Sequence, residues 1–247
     1  MTTIASPYFM GDRMHDFAVP MPHTTLVPDF PDGDAQHRMA SLYGYLATLV
    51  ASIEEPVVYA GDCVSIIGVL AGLAGRGVHP TLVFFDAHGD FHTWDTTPSQ
   101  FIGGMPLAMV TGRGEQTIME GAGLTPLPDD RIVLVDARDL DPGEDSAVDA
   151  SGITLTSTES VMDAIPSDGP LYVHVDLDVV DPSEMPAMNY PAPGGPSLAT
   201  VAEAVAALAG TGRVVAFSLS SWNPALPGAH LAAEGAATIA APFLNPR

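Results

Sequence analysis

Thr81-Leu82-Val83-Phe84-Phe85-Asp86-Ala87-His88-Gly89-Asp90 is the stretch that decides the fold. Thr81 leads an unbroken apolar run, the pattern of a strand buried on both faces of a parallel sheet because helices cover each side. The run ends abruptly in three metal-type ligands at alternate positions, Asp86, His88 and Asp90. In an open α/β sheet, ligands bind beyond the carboxyl ends of the strands. A period of two starts these three side chains on one side of the chain, from which they can converge. The plain alternative is a turn made by Asp and Gly. A second stretch weighs against it: Leu171-Tyr172-Val173-His174-Val175-Asp176-Leu177-Asp178 is again a strand running into acids, with His174, Asp176 and Asp178 on one parity.

Outward from there, strand and helix patterns alternate. Asp34 caps a helix over Ala35 to Ile53, with Met39, Leu42, Tyr43, Leu46 and Leu49 on one face. Val57 to Ala60 is a short buried strand, Gly61-Asp62-Cys63-Val64 turns the chain, and Ser65 caps an apolar helix to Arg76 that Gly77 closes. Phe91 to Met105 is a long loop rich in aromatics and hydroxyls, and loops of that length in a compact domain are functional or disordered. Arg131 to Val135 is another strand with acids gathered at its end. A short strand near Ile153, a helix over Thr158 to Ile165, an Ala-rich helix capped by Ser197 and running to Ala209, a strand over Val214 to Leu219 and a helix over Ala229 to Ala240 complete the pattern. Residues 1 to 33 read as irregular wrapping with one early strand. The alternation predicts an α/β protein, a three-layer α/β/α arrangement around a central parallel sheet. At 247 residues the whole chain, 1–247, is expected to form one domain.

The net charge of −22, with eight Arg and no Lys, argues against nucleic acid and against an anionic membrane surface as partners. Without Lys, Schiff-base chemistry on a lysine is excluded. The single Cys cannot form an internal disulfide and suits a reducing compartment. The first residues lack a basic region followed by an apolar core, so a signal peptide is not expected. A cytoplasmic protein with a small-molecule substrate is the expectation.

Four Asp and one His from two strands are more charge than one divalent ion requires. Unpaired acids in a buried cleft repel and protonate, so acids that converge must hold cations. Hard oxygen mixed with imidazole suits Mn, and also Fe or Zn. Shared carboxylates indicate two ions about 3.5–4 Å apart, a site that lowers the pKa of a shared water towards neutrality. Hydrolysis without an organic cofactor is the chemistry to expect.

Asp86-Ala87-His88-Gly89-Asp90, followed by Asp176-Leu177-Asp178-Val179-Val180-Asp181-Pro182, resembles the paired signature of the arginase/agmatinase (ureohydrolase) family. Gly61-Asp62-Cys63 stands where that family carries Gly-Gly-Asp-His, and Arg138-Asp139-Leu140-Asp141-Pro142-Gly143-Glu144 is similar to its Arg-Asp-x-Asp-x-x-Glu segment. The resemblance implies a three-layer fold, two Mn²⁺ ions at the strand ends, and a trimer or hexamer. It also implies hydrolysis of a guanidino-type C–N bond by a hydroxide that bridges the metals. In it, Asp86 and Asp176 match the acids shared by both metals, and His88 and Asp178 match ligands of one ion. Asp90 matches a ligand of the other ion and the catalytic group that hydrogen-bonds the hydroxide. Asp141 matches the acid that holds a substrate's α-amino group, and His92, Thr97 and Ser99 fall on the loop that contacts that end.

Three departures shape the expectation. Cys63 replaces a histidine ligand; a thiol at a helix N-terminus has a lowered pKa and can ligate as thiolate, which favours Zn or Fe, or it is a small buried hydrophobe. Gly103 stands where arginases carry a proton-shuttling His, and Ser221 where the family has a Glu that grips the guanidinium. The cysteine and Gly103-Gly104 look similar to a subgroup that hydrolyses Nω-hydroxy-L-arginine; Ser221 does not. His174 reads as a core imidazole satisfied by hydrogen bonds, with a replacement metal ligand as the sharper alternative. The leading reading is a metal-dependent hydrolase of a linear amidine or guanidine other than plain arginine. The alternative is a metal-binding homologue without turnover.

Overall fold

The computed structural model describes residues 1–19, 22–30 and 33–244. In chain order the strands are β1 (Thr2–Ser6), β2 (Tyr8–Phe9), β3 (Asp12–Arg13), β4 (Thr24–Thr25), β5 (Pro56–Ala60), β6 (Thr81–Phe85), β7 (Ile132–Val135), β8 (Thr154–Thr156), β9 (Leu171–Asp176) and β10 (Val214–Ser220). The helices are α1 (Ala35–Ala51), α2 (Ile66–Gly75), α3 (Pro106–Val110), α4 (Thr117–Ala122), α5 (Glu144–Asp149), α6 (Val161–Ala164), α7 (Leu198–Gly210) and α8 (Ala229–Leu244). Eight strands form one sheet in the order β4-β1-β5-β10-β9-β6-β7-β8, and every pairing in it is parallel. β2 and β3 make a separate antiparallel hairpin.

The period of two divides each central strand between two cores. Leu82 and Phe84 of β6, Ile132 and Leu134 of β7 and Val58 of β5 pack with α1 to α4. Val83, Phe85, Val133, Val135 and Val57 pack with α7 and α8 on the opposite face. Each fully buried Leu, Val or Phe contributes about 1.5–3 kcal/mol, so the carboxyl ends of β6 and β9 stand on strands that are buried along their whole length. The three-layer α/β/α expectation is what the structure contains.

Two caps match the sequence reading. Asp34 Oδ1 accepts the His37 amide at 3.0 Å, and Ser197 Oγ accepts the Thr200 amide at 3.1 Å. Three expectations need correction. Ser65 does not cap α2 through its side chain; its hydroxyl donates to the Asp62 carbonyl at 2.8 Å and belongs to a 3-10 turn over Cys63–Ser65. The helix expected over Thr158 to Ile165 is a 3-10 turn followed by the single turn of α6, because Pro166 pushes Ile165 to an extended conformation. The early segment is more ordered than its composition indicated: β1 lies in register beside β5, with Ile4 opposite Val58. Of the wrapping expected over residues 1 to 33, positions 20, 21, 31 and 32 lie outside the described residues. Helices α3, α4 and α5 were not expected from sequence; each is six residues or fewer and too short to show a period. No helix of the described residues is long and apolar enough to cross a membrane.

Candidate metal centre

Strand β6 ends at Phe85, and the next residue opens a cavity of about 470 Å³ at the carboxyl edge of the sheet. Asp86, His88 and Asp90 all line it, but strand alternation is not what brings them together. Asp90 has φ +50°, which turns the chain back so that its carbonyl accepts the Leu107 amide at the start of α3. On β9 the strand ends on Asp176, and Asp178 sits in a 3-10 turn over Leu177–Val179 whose amide reaches Asp176 Oδ1 at 3.3 Å. Ser221, just past β10, has φ +82°. A residue other than Gly held at positive φ costs about 1–3 kcal/mol, and such strain clusters at functional sites.

Ligand atoms of Cys63, Asp86 and Asp90 lie within 4.8 Å of one another, as do those of Asp86, His88 and Asp178. Asp86 belongs to both groups. His88 Nδ1 is 3.2 Å from Asp86 Oδ1 and 3.3 Å from Asp178 Oδ2. Eight acids and no Lys or Arg line the cavity, so the charge must be met by bound cations or by protons. Burial first, then the neighbouring acids, raises the carboxyls of Asp86 and Asp90; Asp176 is pushed up to about 8 and Asp178 to about 6. Burial opposes a charge on His88, yet hydrogen bonds to Asp178 and Asp86 push its pKa up to about 12. A proton on that ring plays the part of a metal cation between two acids, and a metal binding there displaces it. Asp90 Oδ2 is buried without a hydrogen-bond partner among the described residues, an acceptor aimed at something the protein itself does not supply. The donor set therefore fits divalent cations.

Cys63 lies with the acids, its Sγ donating to the Gly103 carbonyl at 3.4 Å. The lowered thiol pKa expected from its helix-start position is not what the structure gives. Burial, then Asp90, Asp176, Asp86 and Asp62, pushes this thiol well up. Four acids outweigh a single 3-10 turn, and only a cation among them would favour the thiolate. Asp176 lines the cavity but belongs to neither ligand group. Its Oδ2 accepts hydrogen bonds from the hydroxyls of Ser221 and, at 3.3 Å, Ser220.

Of the four residues expected at the substrate, His92, Ser99 and Asp141 line the cavity, with His92 Nε2 3.2 Å from Asp141 Oδ2. Thr97 does not; it is buried, its hydroxyl 3.2 Å from that of Ser99. A Cβ at Gly103 would meet the half-buried Phe101 ring at 2.2 Å, so a side chain there requires that ring to move. Phe101, which lines the cavity with Phe9 and Tyr190, stacks on Phe9 with ring centroids 6.2 Å apart and meets Tyr190 at a tilt of 38° and 4.9 Å.

His174 is fully buried in β9, stacked on Phe84 at 4.9 Å, and burial pushes its pKa down to about 3, so the ring is neutral. Its Nδ1 is 2.6 Å from Ser218 Oγ and its Nε2 3.2 Å from Ser220 Oγ. It is the satisfied core imidazole of the sequence reading and not a replacement ligand.

Sequence reasoning assigned no role to three buried or anchoring groups here. Glu144 accepts the amides of Phe91 at 2.9 Å and Asp141 at 3.2 Å, and a Cβ on Gly89 would meet its carboxyl carbon at 2.6 Å. It props the ligand loop, which is why residue 89 has no side chain. Arg138 donates to the carbonyls of Asp178, Val179, Ala192, Pro193 and Gly194, tying the loop after β9 to the segment after β7. Asp62 accepts from the Tyr43 hydroxyl and, at 2.9 Å, from the Met10 amide, and burial pushes it up to about 6. Glu144 and Arg138 were visible as members of an acid-rich segment, but only their partners reveal what they do.

Known proteins with similar sequences and folds bear on this geometry. An arginase of Bacillus subtilis (strain 168) is 31% identical over 190 residues, 70% of this chain and 64% of that protein. An N(omega)-hydroxy-L-arginine amidinohydrolase of Streptomyces lavendulae is 36% identical over 124 residues, 47% of this chain and 43% of that protein. The aligned stretches thus span less than two thirds of these relatives' length. The crystal structure of arginase from Bacillus subtilis superposes with a TM-score of 0.84 at 24% identity, covering 100% of this chain and 98% of that one, a likeness of fold. The Arginase family pattern matches residues 13–244, and the chain belongs to the Arginase family.

Proposed function

We propose that this chain is a metal-dependent hydrolase of a guanidino or amidino C–N bond, acting on an amino-acid-like small molecule other than plain L-arginine, such as Nω-hydroxy-L-arginine. The observation that carries this reading is the pair of ligand groups that share Asp86, with the unpartnered Asp90 Oδ2 beside them. Divalent cations, when bound, supply Lewis-acid polarisation and a nucleophilic water near neutral pH. In this proposal Asp86 and Asp176 serve two ions, and His88 and Asp178 serve one of them. Cys63 and Asp90 serve the other. Mn²⁺ is the proposed metal, with Zn²⁺ or Fe²⁺ favoured at the ion that Cys63 contacts.

Asp90 Oδ2 accepts the proton of the attacking water. Asp141, paired with His92, takes the substrate's α-amino group, and Ser99 lies beside it. Two features disfavour arginine. Ser221 carries no charge for a guanidinium, and its hydroxyl is spent on Asp176; a charge-assisted hydrogen bond is worth about 1.5–3 kcal/mol. Phe101 fills the space over Gly103, so no residue there protonates a poor leaving group, a loss of about 10²–10⁴-fold where general-acid catalysis operates. A less basic group, such as an N-hydroxyguanidine, loses less from the missing charge at Ser221, although release of hydroxyurea still requires the same amine to leave as with arginine. The name of the Streptomyces lavendulae relative supports that choice.

Urea and hydroxyurea release from L-arginine, agmatine and Nω-hydroxy-L-arginine, measured with metal content, tests the proposal. Faster turnover of the hydroxylated substrate is expected. Robust urea production from L-arginine would overturn the substrate assignment, and bound metal without turnover of any amidine would favour a non-catalytic metal-binding protein. A homo-oligomer, trimer or hexamer, is part of the same proposal.

A further inference from the structure

Strands β9 and β10 pair with Ser218 opposite His174 and Ser220 opposite Asp176. The even-numbered residues of both strands share one face, and there they build a polar ladder through an otherwise apolar layer. Tyr172 Oη is 2.6 Å from Ser218 Oγ, which is 2.6 Å from His174 Nδ1; His174 Nε2 is 3.2 Å from Ser220 Oγ, which is 3.3 Å from Asp176 Oδ2. All of these residues are buried.

The direction of every hydrogen bond follows from the last acceptor. With a cation bound, Asp176 is a carboxylate and only accepts, so the hydroxyls of Ser220 and Ser221 donate to it; Ser221 Oγ also lies 3.1 Å from Ser220 Oγ. Ser220 Oγ then accepts from His174, which puts the single proton of the neutral imidazole on Nε2. Nδ1, left as an acceptor, takes the Ser218 hydroxyl proton, and Ser218 accepts from Tyr172. Reversing any one bond alone leaves two donors or two acceptors facing each other among buried groups, at about 1–3 kcal/mol for each unsatisfied group; reversing the whole chain would leave Asp176 Oδ2 to Ser221 alone and the Tyr172 hydroxyl hydrogen without a partner in the ladder.

We propose that His174 is a positioning residue for the metal centre, in its Nε2–H form, holding Ser220 so that its hydroxyl fixes Asp176 Oδ2 and directs the remaining carboxylate lone pairs to the cation. This rests on the metal reading above. It goes beyond that reading by assigning a role to a buried imidazole that neither lines the cavity nor joins a ligand group. Hydrogen-bond partners of ligating side chains are worth about 10–100-fold in metal affinity.

Two amide substitutions separate this role from mere packing. Gln at position 174 places an N–H near the position of Nε2, whereas Asn reaches only that of Nδ1. His174→Gln should keep Mn²⁺ affinity within a few-fold of wild type. His174→Asn and His174→Phe should lower it by about 10–100-fold, and Ser218→Ala, which touches neither Asp176 nor the cavity, should also weaken it. ¹⁵N NMR of the Zn²⁺-loaded protein should show His174 protonated on Nε2. Equal affinity in His174→Asn, His174→Gln and wild type, or a proton on Nδ1, would overturn the proposal. Failure of wild type to bind Mn²⁺ or Zn²⁺ would instead overturn the metal reading and the positioning role with it.

Discussion

Strand β6 is apolar to its last residue, Phe85, and its candidate ligands all come from the loop beyond it. β9, its neighbour in the sheet, carries His174 inside the strand and ends on Asp176 itself. The two therefore hold their acids by different means. Beyond β6 the loop is held from outside, by Glu144 under Gly89 and by the left-handed turn at Asp90. At β9 the acid is held from within, by hydroxyls and an imidazole in the adjacent rungs of the sheet. The loop can bring several ligands to one point; the strand supplies one acid with little freedom to move.

The largest expected effect comes from the acid common to both ligand groups. Asp86→Ala should reduce turnover by about 10³-fold or more, since metal polarisation is worth several kcal/mol, and should strip metal from the protein. Full metal content in this variant, by elemental analysis, would dissolve the contrast by making the loop dispensable. Cys63→Ser comes next. It should weaken one ion by about 10-fold or more, as softer and harder donors differ for Zn²⁺ and Mn²⁺, and leave the ion near His88 in place. A titration with unchanged stoichiometry and affinity would assign Cys63 to the core.

Glu144→Ala tests the external support. It leaves the amides of Phe91 and Asp141 without their acceptor, a loss of about 1–3 kcal/mol, so chemical denaturation should show lower stability and metal should bind more weakly. Lower stability with unchanged metal affinity would mean that Glu144 supports the fold alone.

The smallest effect is a pH dependence. Asp62 and Asp178, at about 6, and Asp176, at about 8, sit above the ordinary carboxyl value near 3.9. An acid raised in the folded state stabilises fully below its unfolded pKa and loses that contribution as pH rises through the folded one. His88, raised to about 12, acts in the same direction above about 6.5. His174, depressed to about 3, acts in the opposite direction between pH 3 and about 6.5, but it is one group against several. In EDTA, stability to urea should therefore fall from pH 5 to pH 8, and Mn²⁺ should remove most of that decline. A metal-free protein equally stable at both pH values would show that the acids do not interact as their burial indicates.

Much of this molecule is written in local pattern. Burial on both faces makes β5, β6 and β7 continuous apolar runs and β9 one interrupted only by His174, so their positions follow from the residue order, and the abrupt change to acids at Asp86 and Asp176 marks where the sheet meets the cavity. Caps at Asp34 and Ser197 are equally local, since the side chain and its amide lie three residues apart. What no local pattern carries is a contact between residues far apart. That His174 faces Ser218, that Glu144 lies under Gly89, and that Phe101 closes over Gly103 depend on strand register and loop path. Thr97 depends on the same things: a loop position gives no direction to its side chain, and the structure buries it beside Ser99. The Cys63 thiol was read from its helix start, whereas four acids from distant segments set its environment. Sequence alone determined which residue types stand at which strand ends, because burial acts on each strand separately. Only the tertiary structure decided what each of them touches, because hydrogen bonds and charges act over a few ångströms of space between residues that can be forty or more positions apart in the chain.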